Sequence, residues 1–240
     1  MLKRLLTTLL LGIVAFTPVA AVAWWVSLEP DYVAGHRAAV KAQEKLDRGT
    51  FRSGLPVYVR IFKLESILEL WMQRDGEWQL FHSFPICRWS GRLGPKLKEG
   101  DWQSPEGFYS VGKSSLNPNS SYHLSFNLGV PNAYDRSHGR TGSFLMVHGN
   151  CVSIGCYAMT DPGIDIIYGL TKAALDGGQR RVPVHIFPFW MSEENMASHA
   201  QSKWIGFWRE LKVGFDIFEN DRKVPKVSVS PQRYVIRAPG

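Results

Sequence analysis

The sequence predicts a β-rich α+β fold on three observations. Apolar residues alternate along three runs between Val57 and Ile86, the last two joined by Asp75-Gly76, a strong hairpin signal. From Asp161 to Leu175 they recur at helical spacing instead, with Pro162 at the start and Gly177-Gly178 at the end. The 240 residues, 45% hydrophobic and 20% charged, suffice for one globular core with appendages, and nothing in them repeats.

Taken in order, the chain begins with an address. Lys3-Arg4 precede an apolar stretch from Leu5 to Val26 that contains the small residues Ala21-Val22-Ala23. Residues 1–26 therefore read as a signal peptide cleaved after Ala23 or, since roughly 20 apolar residues span a bilayer, as an N-terminal membrane anchor. Either way the remainder is expected outside the cytoplasm, in the periplasm or cell envelope. Residues 27–54 read as a helical linker segment, with Pro30 in the first turn of a helix reaching Asp47 and Gly49 past its end. That helix either packs on the domain or spaces it from the membrane.

Residues 55–190 read as the main domain. Val57, Val59 and Ile61 face one way and Tyr58, Arg60 and Phe62 the other, opening an antiparallel sheet. The segment from Gly91 to Gly100 carries Arg92, Lys96 and Lys98, either to recognise carboxylates or as a solvated loop. Trp102, Phe108 and Tyr109 read as strand packing. A polar loop from Asn127 to Arg140 holds Asn132, Tyr134, Asp135, Arg136 and His138, the last read as a surface imidazole. Asp161 is the expected helix N-cap, Pro162 the first helical position, and Ile164, Ile167, Tyr168 and Thr171 the buried face. Val182 to Phe189 returns as a strand. Residues 191–240 read as a helical extension and tail, with Ser192-Glu193-Glu194 starting a helix and Trp204, Phe207, Trp208 and Leu211 forming a packing stripe.

The formal charge of +7 draws an exported chain towards anionic wall polymers and lipid head groups. No aromatic-basic motif points to nucleic acid. No Cys-x-x-Cys or His-x-Glu spacing points to a metal, and no Gly-rich loop to a phosphate, so no cofactor is expected. Ser153 lacks the Gly-x-Ser-x-Gly elbow of a serine nucleophile.

The densest chemistry lies in Phe144-Leu-Met-Val-His148-Gly149-Asn-Cys151-Val-Ser153-Ile154-Gly155-Cys156-Tyr-Ala-Met. A short apolar strand ends at His148-Gly149, and Cys156 follows in a turn. On residue types this is either a thiol nucleophile with its base, held ionised by the imidazole or by donors of the turn, or a buried cysteine beside an ordinary turn histidine. Gly155 lets the backbone approach a carbonyl closely, so amides around Cys156 are candidate oxyanion donors.

These residues resemble the L,D-transpeptidase catalytic domain of the YkuD type, which carries His-Gly, a spacer and Ser/Thr-His-Gly-Cys. Lys98-Glu-Gly100-Asp101-Trp-Gln-Ser104-Pro105-Glu106-Gly107-Phe108-Tyr109 is similar to the Gly-Asp…Thr/Ser-Pro-x-Gly-x-Phe/Tyr segment that precedes the catalytic strand in those enzymes. There are departures: His148 and Cys156 are only eight positions apart, Ile154 replaces the motif's second His, and Ala158 stands where many relatives place Arg or Asn. The compact arrangement, with Pro131-Asn-Ala-Tyr134-Asp135-Arg136-x-His138-Gly139 before it, resembles the YafK-like branch, whose best-known member is an amidase that releases a lipoprotein from peptidoglycan. The similarity runs from about Leu55 to Ile236.

The resemblance implies an L,D-transpeptidase sheet core with added terminal helices. It implies His148 as general base, Cys156 as nucleophile on a peptidoglycan stem-peptide carbonyl, amides at Gly155 and Cys156 as oxyanion donors, and a carbonyl at Gly149 orienting the imidazole. By resemblance and position, Tyr134 and Arg136, with Ser153, line the substrate cleft. An amine acceptor gives transpeptidation. Water gives amidase or carboxypeptidase activity, including release of a lipoprotein partner. A non-catalytic envelope-binding protein is the reading from another class, invited by Ile154. If Cys156 must stay reduced, Cys87 and Cys151 are left to form a disulfide; otherwise Cys87 is a buried strand residue.

Overall fold

The structure is a computed structural model that describes residues 30–239. The expected signal peptide or anchor, residues 1–26, lies outside the described residues. No helix among the described residues is long and apolar enough to cross a membrane.

Helix α1 (Pro30–Asp47) precedes three strands, β1 (Val57–Phe62), β2 (Ile67–Arg74) and β3 (Glu77–Pro85), paired antiparallel in sequence order. The β2–β3 turn is Asp75-Gly76, both at positive φ (54° and 84°), the backbone that a two-residue hairpin requires. The expected meander supplies three of the five strands of its sheet. β9 (Val182–Phe187) lies parallel to β1 and antiparallel to β4 (Gly107–Val111), giving the mixed order β3-β2-β1-β9-β4.

The alternation in β1 reflects two buried faces, because every one of its residues is buried. Val57, Val59 and Ile61 enter a main core, whereas Phe62 and Tyr58 enter separate clusters on the other side. The main core is closed by α1 through Ala38 and Ala42, and by a second sheet and a helix. That sheet has the order β5 (Leu116–Ser120), β6 (His123–Asn127), β7 (Met146–His148) and β8 (Tyr157–Ala158). A short helix, α2 (Ala133–Ser137), sits between β6 and β7. The closing helix is α3 (Asp161–Asp176), which buries Ile164, Ile167, Tyr168 and Thr171 as expected. Its cap differs from expectation: Thr160 is the N-cap, its side chain accepting from the Gly163 amide, and Asp161 is the first helical residue.

The C-terminal part is more than a helical tail. α4 (Glu193–Ser198) is capped by Ser192 and α5 (Ile205–Asp221) buries Phe207, Trp208 and Leu211. A hairpin that the sequence reading did not anticipate follows, β10 (Lys226–Val229) with β11 (Tyr234–Arg237). α5 and Tyr234 build the second cluster with Phe62, Phe108 and Phe187, so this part shares its core with the sheet.

Two buried ionic groups link the layers. Arg60, wholly buried, pairs with Glu69 and Glu219 between the rings of Phe62 and Phe218. Lys63 Nζ lies 3.0 Å from Glu106 Oε1, both side chains fully enclosed. The same ammonium meets the carbonyls of Arg92, Gly94 and Ser104 at 2.8, 3.1 and 3.0 Å. Glu106 in turn accepts from the Gly94 amide and from Trp208 Nε1 of α5. Burial pulls the Lys63 ammonium below its usual range, and the Glu106 carboxylate resists that shift.

His185, in β9, is buried with its Nδ1 2.8 Å from the Tyr58 hydroxyl. Burial, then the nearby Arg60 charge, pulls its pKa from 6.5 to about 3. The unfolded chain therefore takes up a proton near pH 6.5 that the folded chain refuses until about pH 3. This contribution to stability is complete above pH 6.5 and is lost as pH falls towards 3. Denaturant unfolding at pH 7 and pH 4 is expected to differ by roughly 3 kcal/mol through this residue, and His185→Gln is expected to flatten the difference by about that amount. Lys63→Met is expected to cost about 3 to 5 kcal/mol by stranding Glu106, and Lys63→Met with Glu106→Leu distinctly less. Equal losses in the single and double variants would contradict a stranded charge.

Candidate active site

Strand alternation decides which side chains meet. In the parallel pair β7–β8, Val147 lies opposite Tyr157 and both are fully buried in the main core. Their neighbours His148 and Cys156 therefore share the other face, one diagonal step apart. Cys156 sits beside Met146, whose amide donates to Sγ at 3.4 Å, while the thiol donates to the Phe144 carbonyl at 3.6 Å.

His148 is 2% exposed, and its Nδ1 lies 2.6 Å from the Gly149 carbonyl oxygen. A carbonyl only accepts, so Nδ1 carries the proton and Nε2 is left with its lone pair. The ring is backed by Tyr122 at 4.8 Å. Burial lowers the imidazole pKa, with the Gly149 carbonyl opposing. Burial raises the Cys156 thiol, with the Met146 amide and the Lys96 charge opposing. Both shifts favour the neutral forms. The sequence reading offered a thiol held ionised by the imidazole or the turn, or a buried cysteine; at the half-buried Cys156, burial works against ionisation.

The turn between the two residues is held from several sides. Asn150 and Cys151 are consecutive non-glycine residues in the left-handed region, with φ of 65° and 44°. Asp161 Oδ1 accepts from the Asn150 amide at 2.7 Å, and the Cys151 amide donates to the Met159 carbonyl at 3.2 Å. Cys87 and Cys151 are joined in a disulfide with Cα atoms 5.1 Å apart, and Cys156 is a free thiol. A side-chain carbon at Gly149 would lie 2.5 Å from Asp161 Oδ1, so the close approach requires glycine there. Asp161 thus braces the His148 turn instead of capping α3. An Asp beside a Pro at a helix start satisfies the capping pattern, which hid this second role.

The other expected site residues are placed differently. Ser153 Oγ lies 2.8 Å from Ser90 Oγ, donates to the Cys156 carbonyl at 2.8 Å and accepts from the Gly155 amide at 3.1 Å. It braces the turn, with its hydrogen-bonding capacity taken by protein groups. Ser104 Oγ also donates to the Cys156 carbonyl, at 3.1 Å. Because Ser153 takes the Gly155 amide, that amide is not a free oxyanion donor. The Cys156 amide meets no acceptor among the described residues and keeps that role open. Gly155 serves by conformation, at φ 150°.

Tyr134 is 3% exposed, stacked on Tyr234 at 4.1 Å and on His138 at 4.2 Å in the second core cluster. Arg136 bonds the Pro131 carbonyl and lines a cavity with Asn132, Arg181 and Tyr234. Neither bonds to His148 or Cys156 among the described residues. Asp135, buried, pairs with Arg140 and accepts from the Tyr109 hydroxyl. His138 is exposed as expected. Trp102 is not strand packing: it is 68% exposed and sits at φ 54° in the turn closed by Asp101. Phe108 and Tyr109 do pack in β4. Exposed Phe144 and Ile154 flank the thiol.

No family model matches the chain. It is 52% identical over 186 residues to "Putative L,D-transpeptidase YafK" of Escherichia coli K12, covering 78% of this chain and 76% of that protein, and equally to the protein of that name from Escherichia coli O157:H7. Among solved structures, the helical cell shape determining protein Pgp2 of Campylobacter jejuni covers 84% of this chain and 87% of its own, at 19% identity and a TM-score of 0.45. Bd1075 of Bdellovibrio bacteriovorus covers 68% and 60% at 21% identity and a TM-score of 0.38.

A neutral thiol reports its state through alkylation. The rate of Cys156 labelling by iodoacetamide is expected to climb through the alkaline range, with a midpoint above the ordinary thiol value of about 8.5. A rate already at its plateau near pH 6 would mean a preformed thiolate–imidazolium pair and overturn the neutral assignment.

Proposed function

The chain belongs to the L,D-transpeptidase family of YafK, and we propose that Cys156 is the nucleophile, with His148 its base, of an acyl transfer on peptidoglycan stem peptides. The observation that carries this reading is the pinned imidazole: the Gly149 carbonyl accepts a hydrogen bond from Nδ1–H, which leaves Nε2 basic on the face that bears the thiol. Family membership supplies the peptidoglycan substrate class.

The resting state is neutral, so proton transfer accompanies attack. Nε2 takes the thiol proton as sulfur bonds to the stem-peptide carbonyl, and the Cys156 amide receives the developing oxyanion. The imidazolium then protonates the leaving amine as the carbon–nitrogen bond breaks, giving a thioester. An amine acceptor restores an amide and makes a cross-link; water releases a carboxylic acid. The short turn between His148 and Cys156 favours the hydrolytic branch in the second reading, an amidase that frees a lipoprotein from peptidoglycan. Both branches place the domain in the cell envelope, delivered or tethered by residues 1–26.

Incubating the protein with sacculi and resolving the muropeptides separates the branches. New stem-to-stem cross-links identify transfer to an amine, and loss of bound lipoprotein without new cross-links identifies hydrolysis. Cys156→Ala is expected to abolish either product, and His148→Gln to slow it by about 10² to 10⁴. Binding of sacculi with no product from the wild-type protein would sink the catalytic reading in favour of an envelope-binding role.

A further inference from the structure

The basic loop contains one cation unlike its neighbours. Arg92 and Lys98 are exposed, whereas Lys96 is 6% exposed, with Nζ 2.5 Å from Asp101 Oδ1. That carboxylate is already saturated. Oδ1 also accepts from the Gln103 amide at 3.1 Å, and Oδ2 from the amides of Leu97 and Lys98 at 2.8 and 3.1 Å. An ammonium has three N–H donors. One goes to Asp101, and the other two meet no acceptor among the described residues. Enclosing a cation with open donors is costly unless something supplies the acceptors.

The position of Lys96 says where those acceptors would be. Its stem lies against Gly142, where a side-chain carbon would be 2.5 Å from Cε, so glycine makes the room. Two residues on, the Phe144 carbonyl receives the Cys156 thiol. The adjoining Thr141 amide donates to the Leu97 carbonyl at 3.0 Å, tying the loop to this strand entry. The ammonium charge is felt at Cys156, where it opposes the effect of burial. The open donors thus stand at the approach to the nucleophile.

We propose that Lys96 is a specificity-determining residue that binds a free carboxylate of the acyl-donor peptide, close to the carbonyl that Cys156 attacks. This rests on the acyl-transfer reading above and names the chemical class of donor it takes. Asp101 is the positioning residue: it holds the ammonium in place while its own oxygens remain occupied. Arg92 and Lys98, being solvated, do not share the role.

Two synthetic stem peptides test it, identical except that the carboxylate next to the scissile carbonyl is a primary amide in the second. With the full-length protein, kcat/KM is expected to favour the carboxylate peptide by at least about tenfold, mostly through KM. In Lys96→Met that ratio is expected to fall to near one, and Lys96→Arg, which keeps the charge, to recover part of it. The ratio is internal to each variant, so partial loss of folded protein cancels. An unchanged ratio in Lys96→Met overturns the proposal. So does an equal loss on both peptides with an upward move in the Cys156 alkylation midpoint, which would assign Lys96 to the thiolate instead. Calorimetric binding of both peptides to Cys156→Ala distinguishes the two readings. Selective, Lys96-dependent binding without wild-type turnover would sink the acyl-transfer reading and keep this one, whereas turnover with carboxylate-blind binding would sink this one alone.

Discussion

The enclosed pair of Lys63 and Glu106 fixes the loop that lies against the candidate site. Lys63 follows the end of β1 and Glu106 precedes β4, two strands separated in the sheet by β9. Three carbonyls from the segment between them converge on the Lys63 ammonium, so the loop from Gly91 to Ser104 is drawn onto the sheet at several points. From that anchored loop Ser104 reaches the Cys156 carbonyl and Asp101 steadies Lys96. Such a pair adds little net stability, because desolvation offsets most of the attraction. Its consequence is uniqueness of geometry: the loop has one place in which the ammonium is satisfied.

The site itself combines rigid support with a quiet resting state. Two hydroxyls hold the Cys156 carbonyl, Asp161 and the disulfide hold the turn, and a backbone carbonyl holds the histidine tautomer. The disulfide closes a separation of 64 residues, for which chain-entropy arguments give a stabilisation of about 4 kcal/mol. Against this support, burial favours the neutral form of the enclosed imidazole and of the half-buried thiol. The architecture therefore invests in orientation, and under the proposed mechanism ionisation is left to the moment of attack.

Much of this was legible in the sequence because it depends on local pattern. Alternation and Asp75-Gly76 located β1 to β3, helical spacing located α3, and the segment holding His148 and Cys156 marked the candidate site. The parallel partnership of β1 with β9 was not legible, since it joins segments over a hundred residues apart. Nor was the burial of Lys63: a lysine after a strand reads as solvated, and only the converging carbonyls make its enclosure tolerable. Ser153 and Tyr134 show the opposite limit. Each has the chemistry of a binding residue, but nearby partners engage it: Ser90, Gly155 and the Cys156 carbonyl for Ser153, and the rings of Tyr234 and His138 for Tyr134.

The place of β9 has a bearing on how the chain comes into being. It is the strand that bridges β1 to β4, yet in order of synthesis it comes after both. A nascent chain can form the β1–β3 meander early, but β1 then presents an open edge until residue 187 is available to cover it. The sheet, and with it the frame that seats Lys63 and Glu106, can close only once β9 has been made. Closure of the sheet thus awaits β9, and the chain without it is the form most exposed to mispairing.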